Sequence, residues 1–126
     1  MKCYLAGPMR SRPEFNYPAF LAGAKALRER GWEVFNPAEM DIDQDNHDEE
    51  FTHMTIEQQK AHAGAPVNAR RYARRDTKIL IEKLRAEKGD AIVVLPDWQD
   101  STGAQAEVAL ARWVGLPVIP LEEVLK

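Results

Sequence analysis

The segment from Asp90 to Ala111 constrains the fold of this chain more than any other part of the sequence. Residues 91–95 are apolar and partly β-branched, which is typical of a short strand that is covered on both faces. The loop from Pro96 to Gly103 then leads into a helix. The segment therefore predicts a strand, a loop and a helix in succession, as in a parallel α/β sheet.

The helix after this loop carries one acid where apolar residues are expected. Thr102 and Gln105 have the spacing of a capping box, and Ser101 and Gly103 flank the point where free backbone N–H groups would face solvent or a ligand. At about 100° per residue, one arc of the helix is apolar and comprises Ala104, Val108, Leu110, Ala111 and Val114. Glu107 falls inside this arc. Because a carboxylate among core-facing positions is costly unless it is paired or used, Glu107 is a candidate functional residue.

The rest of the chain alternates strands and helices. Further strands are predicted at residues 2–6, at 32–35 and within 115–120, and further helices from Asn16 to the residues before Gly31 and from Val67 to Glu87. The β-α-β order favours parallel pairing with right-handed crossovers. A length of 126 residues suits one domain, spanning 1–126. We therefore predict an α/β fold, a Rossmann/flavodoxin-like three-layer sandwich with a mainly parallel sheet of four to five strands.

The segment from residue 39 to 66 has no clear hydrophobic period. It contains many acids and all three histidines, His47, His53 and His62. Their irregular spacing matches no common metal-ligand pattern, so we predict no metal site and no cofactor. The segment is interpreted as a loop, with a short helix around residues 55–63.

Composition excludes several classes of partner. No apolar run approaches the roughly 20 residues of a membrane span, and the apolar part of the first residues is too short for a signal peptide. A cytoplasmic protein without a membrane partner is the expectation. The net charge of −3 argues against binding to polymeric nucleic acid.

Asp76 is a second acid that faces inward. It lies four residues from both Tyr72 and Leu80 on the apolar side of the predicted helix 67–87. A salt bridge to a nearby arginine and a ligand contact beside Glu107 both explain it, and the sequence leaves the two open. The arginines of the same helix are interpreted as a solvated face, with phosphate or subunit contacts as the alternative, and are Arg70, Arg71, Arg74 and Arg75.

The predicted topology brings reactive side chains to one edge of the sheet. The first strand, with Tyr4, Gly7 and Pro8, would end beside the start of the helix that holds Ser101 and Glu107. Two carboxylates and a tyrosine beside an anion-binding helix N-terminus suit attack at the anomeric carbon of a sugar. No dinucleotide-binding, P-loop, serine-hydrolase or cysteine–histidine signal competes with this interpretation.

Several segments together resemble a known family. They are Tyr4-Leu5-Ala6-Gly7-Pro8, Asn36-Pro37, Asp76, the strand from Asp90 to Leu95, and Ser101-Thr102-Gly103-Ala104-Gln105-Ala106-Glu107 with Ala111 behind it. The chain resembles the nucleoside 2-deoxyribosyltransferase superfamily, especially a small branch common in phages and bacteria. Related members include the 2'-deoxynucleoside 5'-phosphate N-hydrolases. The similarity spans most of the chain apart from residues 39–66.

The resemblance implies roles for three residues. The family's nucleophile matches Glu107, which would attack C1' and form a covalent glycosyl-enzyme intermediate. The assisting aspartate, which contacts the leaving base, matches Asp76, and the tyrosine that orients the nucleophile matches Tyr4. Water or a second base would resolve the intermediate, so that both a hydrolase and a transferase are open.

The residue six positions before the nucleophile indicates the substrate class. Family members that act on free nucleosides usually have an aspartate there, and members that act on 5'-monophosphates have a serine. This chain has Ser101, which can donate a hydrogen bond to a phosphate. The preceding Asp100 opposes phosphate binding unless its side chain turns away. The substrate-binding set implied by the resemblance is Gly7, Pro8, Arg10, Asp100, Ser101 and Gly103.

The predicted partner is therefore a small-molecule nucleotide or nucleoside, and the resemblance also implies a homodimer or larger homo-oligomer. Two alternatives remain open from the residues alone. The same pocket would serve a non-catalytic module that binds a nucleotide or an ADP-ribose-like ligand. Alternatively, Glu107 forms a structural ion pair with Arg70 or Arg74, in which case the crevice is vestigial.

Overall fold

A computed structural model describes residues 1–10, 12–44, 55–58, 61 and 65–126. The three histidines lie outside these residues, as do residues 59, 60, 62 and 63 of the short helix predicted at 55–63. Within the described part of that segment, residues 56–58 are helical, and Thr55 and Gln58 exchange backbone-to-side-chain hydrogen bonds of 2.9 and 3.1 Å.

The described residues form one four-stranded parallel sheet, which confirms the predicted fold class. The strands are β1 (Lys2–Ala6), β2 (Glu33–Phe35), β3 (Ala91–Val94) and β4 (Val118–Pro120), in the spatial order β2-β1-β3-β4. Strand β1 pairs with both β2 and β3, so that Tyr4 lies beside Phe35 on one side and Ile92 on the other. The chain thus winds outward from β1 in both directions, as in Rossmann/flavodoxin-like sandwiches.

The helices cover both faces of this sheet. They are α1 (Tyr17–Glu29), α2 (Pro37–Gln44), α3 (Pro66–Glu82), α4 (Thr102–Trp113) and the short α5 (Leu121–Val124). Alternate residues of β1 and β3 supply the two cores, as the period of two in a strand requires. Cys3, Leu5 and Val93 pack with α1, whereas Tyr4 and Ile92 pack with α3 and α4.

Helix α2 corrects the prediction of a loop from residue 39 onward, since residues 39–44 are helical. The side-chain oxygen Oδ1 of Asn36 accepts a hydrogen bond from the backbone N–H of Ala38 at 3.0 Å, and Pro37 has the backbone angle that a first helical turn needs. The Asn36 amide donates to the carbonyl of Phe20 in α1 at 3.2 Å. Local capping and tertiary contact therefore support a helix that has little hydrophobic periodicity of its own.

Helix α3 ends at Glu82, five residues before the predicted end at Glu87. The Asp90 carboxylate accepts hydrogen bonds of 2.8 Å from the backbone N–H groups of Arg85 and Lys2. These bonds fix the segment after the helix against the start of β1, and the chain continues as a short 3-10 turn at Ala86–Lys88.

Among the described residues, no helix is both long and apolar enough to cross a membrane.

Candidate active site

A cavity of about 180 Å³ opens at the carboxyl edge of the sheet, beside the ends of β1 and the start of α4. Strand order changes direction between β1 and β3, and crevices at such switch points are the usual ligand sites of open parallel sheets. Seven of the nine candidate site residues line this cavity. They are Tyr4, Gly7, Arg10, Asp76, Ser101, Gly103 and Glu107.

Tyr4 and Glu107 line the cavity and contact each other. Tyr4 projects from β1 and is only 1% exposed, and its hydroxyl donates a short hydrogen bond to Oε2 of Glu107. Glu107 lies on α4, on the same side as the buried Ala104, Val108 and Ala111, and is itself partly buried. The acid predicted within the apolar arc therefore faces the cavity, with a tyrosine holding one of its oxygens.

Burial and a neighbouring acid change the proton affinity of this pair. Burial, reinforced by the charge of Asp76, raises the pKa of Glu107 to about 8, against the opposing effects of the Tyr4 hydrogen bond and Arg75. Burial, with the charges of Glu107 and Asp76, also raises the pKa of Tyr4 well above its ordinary value. Tyr4 therefore stays a hydrogen-bond donor at physiological pH, and Glu107 is poised to exchange a proton near neutrality.

Asp76 forms an ion pair with a nearby arginine, as the first explanation of this residue has it, and it also lines the cavity, where a ligand contact stays a prediction. Its Oδ1 accepts a hydrogen bond of 2.8 Å from Nε of Arg75, and only 9% of the residue is exposed.

The solvated face predicted for the arginines of this helix holds for Arg70, Arg71 and Arg74. It is wrong for Arg75, whose side chain is 17% exposed. Glu107 has Tyr4 rather than Arg70 or Arg74 as its hydrogen-bond partner.

Asp41 is a cavity residue that sequence reasoning missed. It lies on α2 and is 5% exposed, with Oδ1 at 2.8 Å from Nη1 of Arg75 and Oδ2 accepting a hydrogen bond of 3.1 Å from the Tyr17 hydroxyl. Burial raises the pKa of Asp41 to about 6, although Arg75 and Tyr17 act in the opposite direction. Residues 39–44 have no hydrophobic period that would indicate which way Asp41 faces. The sequence feature that could have indicated a helix here is Asn36-Pro37, a typical helix start.

The start of α4 forms the second wall of the cavity. Ser101, and not Thr102 as the capping-box spacing suggested, is the N-cap, and its hydroxyl oxygen accepts a hydrogen bond of 3.1 Å from the N–H of Ala104. That hydroxyl keeps its own proton for donation. A side chain at Gly103 would have room, since its nearest contact would be the Ser101 hydroxyl at 3.9 Å. This wall therefore presents small, donor-rich groups at a helix N-terminus.

Gly7 has a packing role as well as a place in the cavity wall. A Cβ atom there would lie 2.9 Å from Cβ of Leu95 at the end of β3. The close approach of the chain after β1 to the chain after β3 therefore requires a glycine. Arg10, two residues beyond Pro8, makes no hydrogen bond or ion pair with any other described residue and lines the cavity with an exposed side chain.

Pro8 and Asp100 lie outside the cavity wall. Pro8 is buried, and its carbonyl accepts a hydrogen bond of 3.0 Å from the side chain of Asn16. Asp100 turns toward Arg12, with Oδ2 3.2 Å from Nη2, and its side chain is 62% exposed. The carboxylate next to Ser101 is therefore paired and directed away from the cavity.

The remaining wall is largely apolar and aromatic. It includes Met9, Phe15, Phe20 and Tyr72. Phe15 is buried. It lies in a run of three residues with left-handed backbone angles, from Glu14 to Asn16, and its own φ angle is 55°. Its ring stacks on that of Tyr17 with centroids 5.5 Å apart. This wall has the character of a surface for a flat, apolar-faced group.

The described residues contain no group of three or more histidine, cysteine, aspartate or glutamate side chains placed to hold a metal ion. The carboxylates of the cavity are instead matched with an arginine and two tyrosines. A carboxylate of raised pKa beside a second acid can donate or accept a proton or act as a nucleophile.

One family model matches the chain. It is described as "Domain of unknown function (DUF4406)" and matches residues 1–64 and 60–120, so the chain belongs to this family. No curated protein and no solved structure matches the sequence.

Proposed function

We propose that this DUF4406 protein cleaves or transfers the N-glycosidic bond of a (deoxy)nucleoside 5'-monophosphate, with Glu107 as the nucleophile. The observation that carries the proposal is the meeting of Glu107, Tyr4 and Asp76 in one cavity beside a helix N-terminus. The resemblance to deoxyribosyltransferase-like proteins assigns the same three residues to this chemistry. It also implies that the protein assembles as a homodimer or larger homo-oligomer.

In the first step Glu107 attacks C1' of the sugar. One carboxylate oxygen forms a bond to C1' while the bond from C1' to the base nitrogen breaks, and the electron pair of that bond leaves with the base. The Tyr4 hydroxyl binds the other oxygen and so orients the nucleophile. Water or a second base then attacks C1' and releases Glu107.

Proton movement accompanies this step. With a pKa near 8, Glu107 carries a proton in much of the resting enzyme at neutral pH and must lose it before it attacks. Asp76 is the adjacent acid of the cavity and is the proposed acceptor, which then passes the proton to the departing base. The nearby Arg75 stabilises the carboxylate that remains after this donation.

The start of α4 is the proposed phosphate site. The free N–H groups of a first helical turn, the Ser101 hydroxyl and the Arg10 guanidinium are all donors to an anion. The negative charge of Asp100 was the sequence feature that argued against a phosphate here. Its carboxylate accepts a hydrogen bond from Arg12. The base would then pack against the apolar wall that contains Phe15 and Tyr72.

The direct test is incubation with a panel of deoxynucleoside and nucleoside 5'-monophosphates, with free base measured by chromatography. We expect release of base from at least one nucleotide, at least 100-fold faster than from the matching nucleoside. Glu107→Gln should abolish release, whereas Glu82→Gln, a change of the same type at an exposed position of α3, should leave it intact. Tight nucleotide binding without product from the wild type would instead identify a binding module and overturn the catalytic proposal.

A further inference from the structure

We propose that Arg75 is a positioning residue of this site: held by Asp41 of α2, it fixes Asp76 in the cavity wall and balances the acid charge around Glu107. Nothing in the sequence patterns singled out Arg75 from its neighbouring arginines. The kinetic consequences of this inference rest on the proposed function, whereas its electrostatic consequences do not.

The guanidinium of Arg75 is held from two sides. Its Nε lies 2.8 Å from Oδ1 of Asp76 on the same helix, and its Nη1 lies 2.8 Å from Oδ1 of Asp41 on α2. The carbon of the guanidinium also lies 5.4 Å from the centre of the Tyr72 ring. Arg75 thus donates a hydrogen bond to Asp76 and forms an ion pair with Asp41, and the compact ammonium of a lysine cannot reproduce this two-sided placement of a planar group.

Asp41 is itself held by a third element. Its second oxygen accepts the hydrogen bond from Tyr17, the first residue of α1. The chain of contacts therefore runs from α1 through Asp41 and Arg75 to Asp76 at the cavity. Each member is largely or partly buried, so the contacts are little screened by solvent.

The arrangement is needed because three carboxylates line one cavity, those of Glu107, Asp76 and Asp41. The charged and titratable groups that act on Glu107 are Tyr4 from β1 and Asp76 and Arg75 from α3. Asp76 raises the pKa of Glu107, and Arg75 lowers it. Without Arg75, the repulsion between Asp76 and Glu107 would be stronger, and Asp41 would be a buried acid with the Tyr17 hydrogen bond but no cationic partner.

The electrostatic test needs no substrate. The ionisation of Glu107 is followed by NMR of protein with 13C-labelled glutamate side chains, with the signal assigned by its loss in Glu107→Gln. In Arg75→Gln we expect the apparent pKa of Glu107 to rise by on the order of one unit. The matched control is Arg74→Gln, which removes an exposed arginine from the same helix and should leave that pKa unchanged. An unchanged titration in Arg75→Gln, or an equal shift in the control, would overturn the inference.

If Arg75→Gln is too unstable to study, the double variant Asp41→Asn/Arg75→Gln removes one of the acids left without a cationic partner. The same rise in the pKa of Glu107 is expected in the double variant, measured against Asp41→Asn alone. An unchanged titration there would also contradict the proposed role.

The kinetic test separates positioning from general stability. Arg75→Lys keeps the charge and loses the two-sided geometry, so we expect kcat to fall at least about tenfold with little change in KM, because the phosphate is held elsewhere in the cavity. A change in KM alone would contradict a positioning role. If the wild type turns over no nucleotide, the proposed function fails, and the NMR titration still decides the role of Arg75.

Discussion

Replacing Glu107 with glutamine should stabilise the folded protein at alkaline pH and have little effect near pH 5. The pKa of Glu107 is raised from 4.5 to about 8 in the folded state, so the native protein binds its proton more tightly than the unfolded chain does. Above pH 8 the group is charged in both states, and the full penalty of a buried charge opposes folding. As the pH falls through 8 toward 4.5, the native state takes up the proton and this penalty disappears.

The size of the effect follows from the displacement of the pKa. At 1.36 kcal/mol per unit, a change from 4.5 to about 8 corresponds to about 5 kcal/mol of unfolding free energy. Glu107 is only partly buried and contacts a cavity that admits water, which reduces this to about 2–3 kcal/mol. For a domain of this size that is a gain of about 10 °C in Tm at pH 9.

The assay is thermal or urea unfolding of the wild type and Glu107→Gln at intervals from pH 5 to pH 9. Glutamine has the shape of glutamate and can still accept the hydrogen bond from Tyr4, so the difference between the two proteins isolates the charge. Glu82→Gln, at an exposed site, serves as the matched control and should show no such pH dependence. A stability difference that does not grow between pH 5 and pH 9 would refute the account of a buried, proton-exchanging Glu107.

Three further substitutions test other parts of the site. Gly7→Ala would place a Cβ atom 2.9 Å from Cβ of Leu95, so we expect a loss of about 1–3 kcal/mol in unfolding free energy by urea titration; wild-type stability would show that the close approach is not limiting. Ser101→Asp keeps an N-cap acceptor and therefore the Tm, but its charge should shift preference from 5'-monophosphates to nucleosides, as measured by kcat/KM on both. An unchanged preference would show that Ser101 does not contact the phosphate. Tyr4→Phe removes a hydrogen bond that lowers the pKa of Glu107, so the acidic limb of the pH–rate profile should move to higher pH; a limb that stays in place would contradict the coupling.

The sequence was sufficient for the framework of the fold because that framework depends on local patterns. The alternation of apolar strands with amphipathic helices predicted the parallel sheet, and the inward acid on α4 predicted where the cavity would lie. The placement of Tyr4, Gly7 and Glu107 follows from the ends of β1 and β3 meeting at one edge. These inferences needed only the spacing of residues along each element and the rule that parallel strands end at the same edge of a sheet.

The charge network of the site could not be predicted in the same way, because it depends on contacts between elements. Arg70, Arg71, Arg74 and Arg75 look equivalent in sequence, and only the packing of α2 against the cavity separates the buried one from the exposed three. Asp41 lies in a short helix with weak periodicity, whose formation depends on Asn36 and on its contact with α1. Which side an acid faces on such a helix is decided by tertiary contact.

The most direct measurement of the central claim is capture of the covalent intermediate on Glu107. A 2'-fluoro-arabinonucleoside 5'-monophosphate slows the second step, because fluorine destabilises the positively charged transition state that releases the enzyme. Digestion after Lys88 and Arg112 gives the peptide 89–112, in which Glu107 is the only glutamate. We predict a mass increase equal to the fluorinated sugar phosphate, located on Glu107 by fragmentation. Base release with the adduct on another residue, or with no adduct on this peptide, would contradict the assignment of Glu107 as the nucleophile.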